Sequence, residues 1–282
     1  MGSESVSVDG LPFFKMTGSG NDFVFFDGRS VDAARVTQPQ VIRAICDRHN
    51  GIGADGIVVL EVVGPDAHVR ILYFNSDGSA ADLCGNATLC STTLSSMLGM
   101  VDGSDVLLET PAGIIAGHRG PDGPAIQMGP ASLATLSSPI ATSVGELRVG
   151  FVQAGIPHLV LVVEDADAID LERRGPELRR HPATGVAGAN VNWVSRRPDG
   201  TWRYRTFERG VEGETLACGT GAVATAVQLV AWGEASSPVR IRSSSGKELR
   251  VKLEQAGPES WVPTLSGEGR IVYRGIIESL PI

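Results

Sequence analysis

Apolar residues in this chain fall mostly in short β-branched and aromatic runs. Such runs predict strands at Phe23-Val24-Phe25-Phe26, Ile57-Val58-Val59-Leu60, His68 to Phe74, Leu159 to Val163, Val191 to Val194 and Trp202 to Thr206. The period changes from Pro39 to His49, where Val41, Ile42 and Ile45 share one helical face and Pro39 suits a first turn. Two further stretches, Ala87 to Leu98 and Ala222 to Trp232, read as Ala/Leu/Val-rich helices. They are apolar all round, which predicts helices enclosed by a sheet rather than lying on one.

Those two helices belong to segments that repeat. Phe74-Asn75, Asp77-Gly78 and Leu83-Cys84-Gly85-Asn86 lead into the first. Phe207-Glu208, Glu212-Gly213 and Ala217-Cys218-Gly219-Thr220 lead into the second. The spacing from Cys84 to Cys218 is 134 residues, and that from Gly113 to Gly246 is 133. A period near half the chain is too long for a solenoid and indicates a duplicated domain. The expected fold is α+β with two pseudo-repeated domains. Residues 1–10 form a loose tail, 11–130 the first repeat and 131–269 the second, while a last strand over 270–282 returns to the first. A ligand site is expected between the repeats.

Composition narrows the function. The chain has 282 residues, 42% of them hydrophobic, with 35 glycines and a net charge of −8. It holds no basic run longer than pairs such as Arg173-Arg174 and Arg179-Arg180, which gives nucleic-acid binding no electrostatic support. No apolar run of about 20 residues suggests a membrane span. The start shows no basic-then-apolar leader, so the cytoplasm is the expected location. Lysines are confined to Lys15, Lys247 and Lys252, none in a candidate loop, which argues against pyridoxal phosphate. The cysteines Cys46, Cys84, Cys90 and Cys218 lack zinc-ligand spacing, which argues against a metal.

Cys84 and Cys218 each stand before a glycine and a helix. Unpaired N–H groups and the dipole at a helix start favour a thiolate and also cradle a carboxylate. Gly85 and Gly219 allow close approach of a ligand to the backbone. Two such loops can remove and return the proton on a carbon beside a carboxylate, one thiol as base and one as acid. Cys46 and Cys90 read instead as small buried side chains. For Cys84 and Cys218 the competing readings are the same burial, or a redox pair that joins on oxidation.

At these residues the chain resembles the diaminopimelate epimerases. The matching stretches include Lys15-Met16-x-Gly18-x-Gly20-Asn21-Asp22-Phe23 and Asp47-Arg48-His49-x-Gly51-x-Gly53-x-Asp55. Phe74-Asn75-x-Asp77-Gly78-Ser79, Cys84-Gly85-Asn86, Pro157-His158, Ala189-Asn190 and Glu208-Arg209-Gly210 follow, with Ala217-Cys218-Gly219-Thr220-Gly221 completing the set. The resemblance implies two domains, each a curled mixed sheet around a central helix. It implies conversion of LL- to meso-diaminopimelate in lysine and peptidoglycan precursor synthesis, without pyridoxal phosphate or metal. Cys84 and Cys218 would be the two bases, tuned by His158 and Glu208. Asn21, Gly85, Asn86, Gly219 and Thr220 would hold the reacting end of this diamino dicarboxylic acid. Asn75, Asn190, Glu208 and Arg209 would hold the distal end, and Tyr273 would contact the second subunit of a homodimer.

The residues bear on several of these roles independently. Arg209 can grip a carboxylate by two parallel bonds, and Glu208 can pair with an ammonium. Each Asn carries a donor and an acceptor. The chain departs from the family pattern at Ala87-Thr88-Leu89, where Gly-Ala-Arg is usual, and at Ile156, where Asn is common. Gly56 replaces a Gln of some members, and Glu212 is an extra residue. The rival functions are a cofactor-independent racemase of proline, hydroxyproline or histidine, a non-catalytic amino-acid binder on the same fold, and a thiol redox protein.

Overall fold

Each apolar run becomes one strand of a sheet that wraps a single helix. The structure, a computed structural model, describes residues 7–64, 68–143 and 145–280. Two units divide them: one takes the residues up to Ile126 and from Glu268 onward, the other Gln127–Gly267.

The first unit holds β1 (Pro12–Gly18), β2 (Asn21–Asp27), α1 (Ala33–Val36), α2 (Pro39–Cys46), β3 (Gly56–Val62), β4 (His68–Asn75), α3 (Gly85–Met97), β5 (Asp105–Thr110), β6 (Gly113–Gly120) and β7 (Gly123–Gln127). Its sheet starts from the last strand of the chain, labelled β17 (Arg270–Ile276), which pairs antiparallel with β1. From β1 the order runs through β2, β3, β4, β5 and β6 to β7, with β2–β3 and β4–β5 parallel and the other pairs antiparallel. Helix α3 contacts β1 through β6 and β17, so the sheet curls around it. The outer face is also covered: Val24, Phe26, Ile57 and Val59 share a core with Val41, Ile42 and Ile45 of α2. Covering both faces explains why Phe23 to Phe26 is a continuous apolar run rather than an alternating one.

The second unit holds β8 (Ala131–Leu133), β9 (Glu146–Ala154), β10 (Ile156–Val163), α4 (Leu171–Arg179), β11 (Asn190–Arg196), β12 (Trp202–Glu208), β13 (Gly213–Thr215), α5 (Gly219–Ala231), β14 (Val239–Arg242), β15 (Glu248–Gly257) and β16 (Ser260–Ser266). Its order is β9, β10, β11, β12, β14, β15, β16, with β10–β11 and β12–β14 parallel. β8 pairs with both β16 and β9 and closes the sheet into a barrel around α5. The parallel and antiparallel pairs follow one another as in the first unit. Both cysteine helices lie on a parallel crossover, from β4 to β5 and from β12 to β14. Helix α4 is held to its barrel by a buried pair: Arg174 donates to Glu146 at 3.0 and 2.8 Å, and Trp193 donates to the same carboxylate at 3.4 Å.

The structure corrects several sequence expectations. Of the loose tail expected over residues 1–10, residues 1–6 lie outside the described residues. Val8 is fully buried, and Gly10 N–H donates to Ile277 O at 2.7 Å, so the following segment is packed. Helix α2 ends at Cys46 instead of His49, because Asp47 accepts from the N–H groups of His49 and Asn50 at 2.8 and 2.7 Å and turns the chain. The helix expected from Ala87 is not apolar all round: α3 buries Thr88, Ser91, Thr92, Thr93 and Ser95. Thr88, Ser91 and Thr92 donate to the carbonyls of Cys84, Ala87 and Thr88 four residues earlier, at 2.9, 2.8 and 3.0 Å. Their hydroxyls are satisfied inside the helix, and its surface packs as if apolar.

Candidate active site

Cys84 and Cys218 occupy the same backbone position. Cys84 is the N-cap of α3 with φ −133° and ψ 114°, and Cys218 is the N-cap of α5 with φ −129° and ψ 114°. Gly85 and Gly219 are therefore the first residues of their helices, where N–H groups have no intrahelical partner. Each thiol sits where a helix dipole and open N–H groups meet an anion.

In the first unit the side chains around the helix start are amides and acids. Asn86 is buried and donates to Asn21 Oδ1 at 2.7 Å, and Asn21 donates to Asp55 at 2.9 Å. Asn86 Oδ1 is buried with no partner, an acceptor open to a ligand ammonium. Behind them Lys15, Arg48, Asp22 and Asp55 form an ion cluster, with Lys15 and Arg48 at 2.6 and 2.8 Å from Asp22. Burial pushes Asp22 up, yet the bonds from Arg48 and Lys15 together outweigh it and hold the carboxyl below its ordinary value. Asn75 Oδ1 accepts from Tyr73 at 3.0 Å, and its amide donates to Ser79 at 3.0 Å.

The thiol environment of the second unit is different. Cys218 Sγ accepts from Gly221 N–H at 3.4 Å and lies 3.5 Å from Thr220 Oγ1. Asn190 Nδ2 is 3.9 Å from the same sulfur, and its Oδ1 accepts from Arg209 N–H at 2.8 Å. Asn190 thus ties the Cys218 sulfur to the Arg209 loop. Burial raises the Cys218 pKa well above an ordinary thiol, and the nearby Glu208 charge adds to it; Thr220 and the Gly221 N–H pull the other way without prevailing. In this state Cys218 is a thiol that donates to Glu208. Glu208, itself raised by burial, also accepts from Thr215.

His158 is fully buried on β10, with Nδ1 3.3 Å from Asn192 Nδ2 and Nε2 unpartnered. Burial first, then the Arg209 charge, bring its pKa from 6.5 down to about 3, so the imidazole is neutral at pH 7. Tyr273 is half-exposed on β17, its ring edge-on to Phe13 at 6.0 Å.

The fold accounts for two family departures. Leu89, where an Arg is usual, is fully buried in the first unit. The extra Glu212 takes a left-handed φ of 55° and accepts from Arg179 and Arg180 at 3.1 and 2.9 Å, which pins the Arg209 loop to α4.

Sequence reading missed Tyr73, Tyr204, Asn192 and Thr215. A signal for two of them was present: Tyr73 is two residues from Asn75 and Asn192 two from Asn190, and alternate strand residues share a face. Tyr204 donates to Asn192 Oδ1 at 3.2 Å, a pairing across strands that spacing along the chain does not reveal.

The diaminopimelate epimerase family model matches residues 13–134 and 150–272. A diaminopimelate epimerase of Gemmatimonas aurantiaca is 59% identical over 279 residues, covering 96% of this chain and 100% of the relative. Another, of a Hydrogenobaculum species, is 35% identical over 251 residues, covering 85% and 90%. Among solved structures, a hydroxyproline epimerase from Agrobacterium vitis superposes with a TM-score of 0.66 at 20% identity, covering 94% of this chain and 90% of that one. A PhzF-family phenazine biosynthesis protein of Bacillus anthracis gives 0.72 at 13% identity, covering 94% and 98%. These two show a shared fold only.

Proposed function

The chain belongs to the diaminopimelate epimerase family, and we propose that it epimerises LL-diaminopimelate to the meso form with Cys84 and Cys218 as its two proton-transfer groups. It is an isomerase of the diamino acid route to lysine. The observation that carries the two-thiol scheme is the matching N-cap geometry of the cysteines, one at each central helix. Epimerisation needs a base on one face of the α-carbon and an acid on the other, and each repeat supplies one thiol. With Cys218 held as a thiol by burial and Glu208, Cys84 takes the base role in that state, and the roles exchange in the reverse reaction.

The remaining roles follow the local geometry. Asn21 and Asn86, with the N–H groups of Gly85, Gly219 and Thr220, hold the reacting amino-acid end. The unpartnered Asn86 Oδ1 accepts from its ammonium. Asn75, Asn190, Glu208 and Arg209 hold the distal end, and neutral His158 with Glu208 sets the polarity around Cys218. The enzyme works in the cytoplasm as a homodimer, using the exposed surface of β17 around Tyr273.

The test uses the reduced protein and LL-diaminopimelate in D₂O, with deuterium read at the α-carbon. Exchange with diaminopimelate, and none with proline, hydroxyproline or histidine, is expected. The opposite selectivity would move the chain to a different racemase class, and no exchange with any of them would leave only a binding role.

A further inference from the structure

A half-buried tyrosine hydroxyl beside Cys84 has more acceptors around it than protons to give. Tyr73 Oη lies 3.0 Å from Asn75 Oδ1, an atom that can only accept, so the phenol proton goes there. The same hydroxyl is hydrogen-bonded to the Cys84 side chain. Burial, then the Cys84 charge, push the Tyr73 phenol up, so it keeps its proton at neutral pH. As a thiol, Cys84 donates to Tyr73 Oη, and the proton order is S–H to O–H to amide oxygen. As a thiolate, Cys84 is an acceptor too, and one phenol proton then faces two acceptors.

Among the residues that line one cavity with Cys84, Tyr73 is the hydroxyl that can answer the sulfur. Tyr73 and Cys84 line one small cavity with Leu83, Thr88 and Thr110. The other two hydroxyls in that lining are committed: Thr88 donates to Cys84 O at 2.9 Å and Thr110 to Gly113 O at 2.8 Å. The titratable groups facing the pair are Asp82 in the lining loop, Asp55 ahead of β3, Cys46 on α2 and Cys90 on α3. Asp55 is already held by Arg48 at 2.7 Å and Asn21 at 2.9 Å.

The second unit adds a carboxylate to the same arrangement. The repeat aligns Asn75 with Glu208, and Glu208 takes the Cys218 proton bond directly. Its nearby tyrosine, Tyr204, donates to Asn192, lies 3.3 Å from the Cys218 carbonyl and is hydrogen-bonded to the Cys218 side chain as well. Both units set a phenol at the sulfur, but in the first an amide stands where the carboxylate would be.

We propose that Tyr73 is a positioning residue whose single hydroxyl proton turns from Asn75 to the Cys84 sulfur when the thiol ionises, coupling that ionisation to Asn75. A charge-assisted bond to the thiolate is the stronger of the two choices. Once the phenol turns, Asn75 keeps its bond to Ser79, and its Oδ1 is open to a substrate donor. No proton leaves the phenol in this step; the proton on the thiol still comes from the α-carbon. The inference rests on Cys84 being one of the two proton-transfer groups.

The test is the pH dependence of Cys84 alkylation by iodoacetamide, resolved by residue with mass spectrometry, in the full-length protein. Tyr73→Phe keeps the ring and removes the donor, so the midpoint is expected to rise, with alkylation at pH 7 slowed about tenfold. Asn75→Ala removes the competing acceptor, so the midpoint is expected to fall. Circular dichroism of both variants establishes that they are folded. Opposite shifts support the shared proton, since loss of packing alone would not move the two midpoints apart. An unchanged midpoint in Tyr73→Phe, or shifts of the same sign in both, would overturn it. Full turnover by Cys84→Ala would instead overturn the two-thiol reading on which it stands.

Discussion

At the scale of the residue, two thiols in one backbone conformation have unlike neighbours. Cys218 is buried beside both the Glu208 carboxylate and the Tyr204 phenol, whereas Cys84 is partly exposed and faces the Tyr73 phenol. If both transfer protons, neither replaces the other. Cys84→Ala and Cys218→Ala should each lower turnover by about 10²–10⁴-fold or more, measured as loss of LL-diaminopimelate. His158 yields a pH prediction. Its pKa falls from 6.5 to about 3 on folding. Between those values the unfolded chain binds a proton that the folded chain refuses, so this group lowers stability as pH falls from about 6.5 towards 3. Thermal unfolding across that window should show a steeper loss in the parent than in His158→Gln. Equal slopes would mean that His158 is not the group responsible.

At the scale of the element, the second cysteine helix, α5, starts where its backbone meets strand side chains. Gly221 shows how tightly. A Cβ there would lie 2.1 Å from Tyr204 Oη and 2.6 Å from Asn192 Oδ1. Those two groups bond to each other, and neither can retreat without breaking that contact. Gly221→Ala should therefore cost about 1–3 kcal/mol in stability, and it should shift the α5 start that carries Cys218, lowering kcat. A denaturant titration and a steady-state assay on the same sample check both effects. The strand runs were legible in the sequence because β-branched and aromatic clustering is strong from Phe23 to Phe26 and from Val191 to Val194. The start of α5 at Gly219 rather than Ala222 was not, because glycines carry no periodic apolar signal.

At the scale of the whole molecule, the duplication governs both fold and chemistry. A parallel crossover carries each cysteine helix, so one topological unit, used twice, presents two chemically similar helix starts. The last strand belongs to the first unit through β1, and its other edge carries no strand among the described residues. Val272, Tyr273 and Ile276 on it are 48%, 45% and 60% exposed. If a second copy covers them, Tyr273→Lys should shift the sedimenting species from dimer towards monomer while each chain keeps its circular dichroism spectrum. A parent chain that sediments as a monomer at micromolar concentration would end the dimer proposal.

The sequence by itself determined the repeat, the strand runs and the two Cys-Gly loops, since apolar clustering and glycine placement are local properties of the chain. It also carried the family, through motifs spread over nearly its whole length. Tertiary structure alone decided what surrounds each thiol. The Glu208 carboxylate at Cys218, the Tyr73 phenol at Cys84 and the neutral His158 all depend on burial and on contacts between separate elements. Burial also turned the hydroxyl-rich α3 into a core helix, in which Thr88, Ser91 and Thr92 bond back to their own turn.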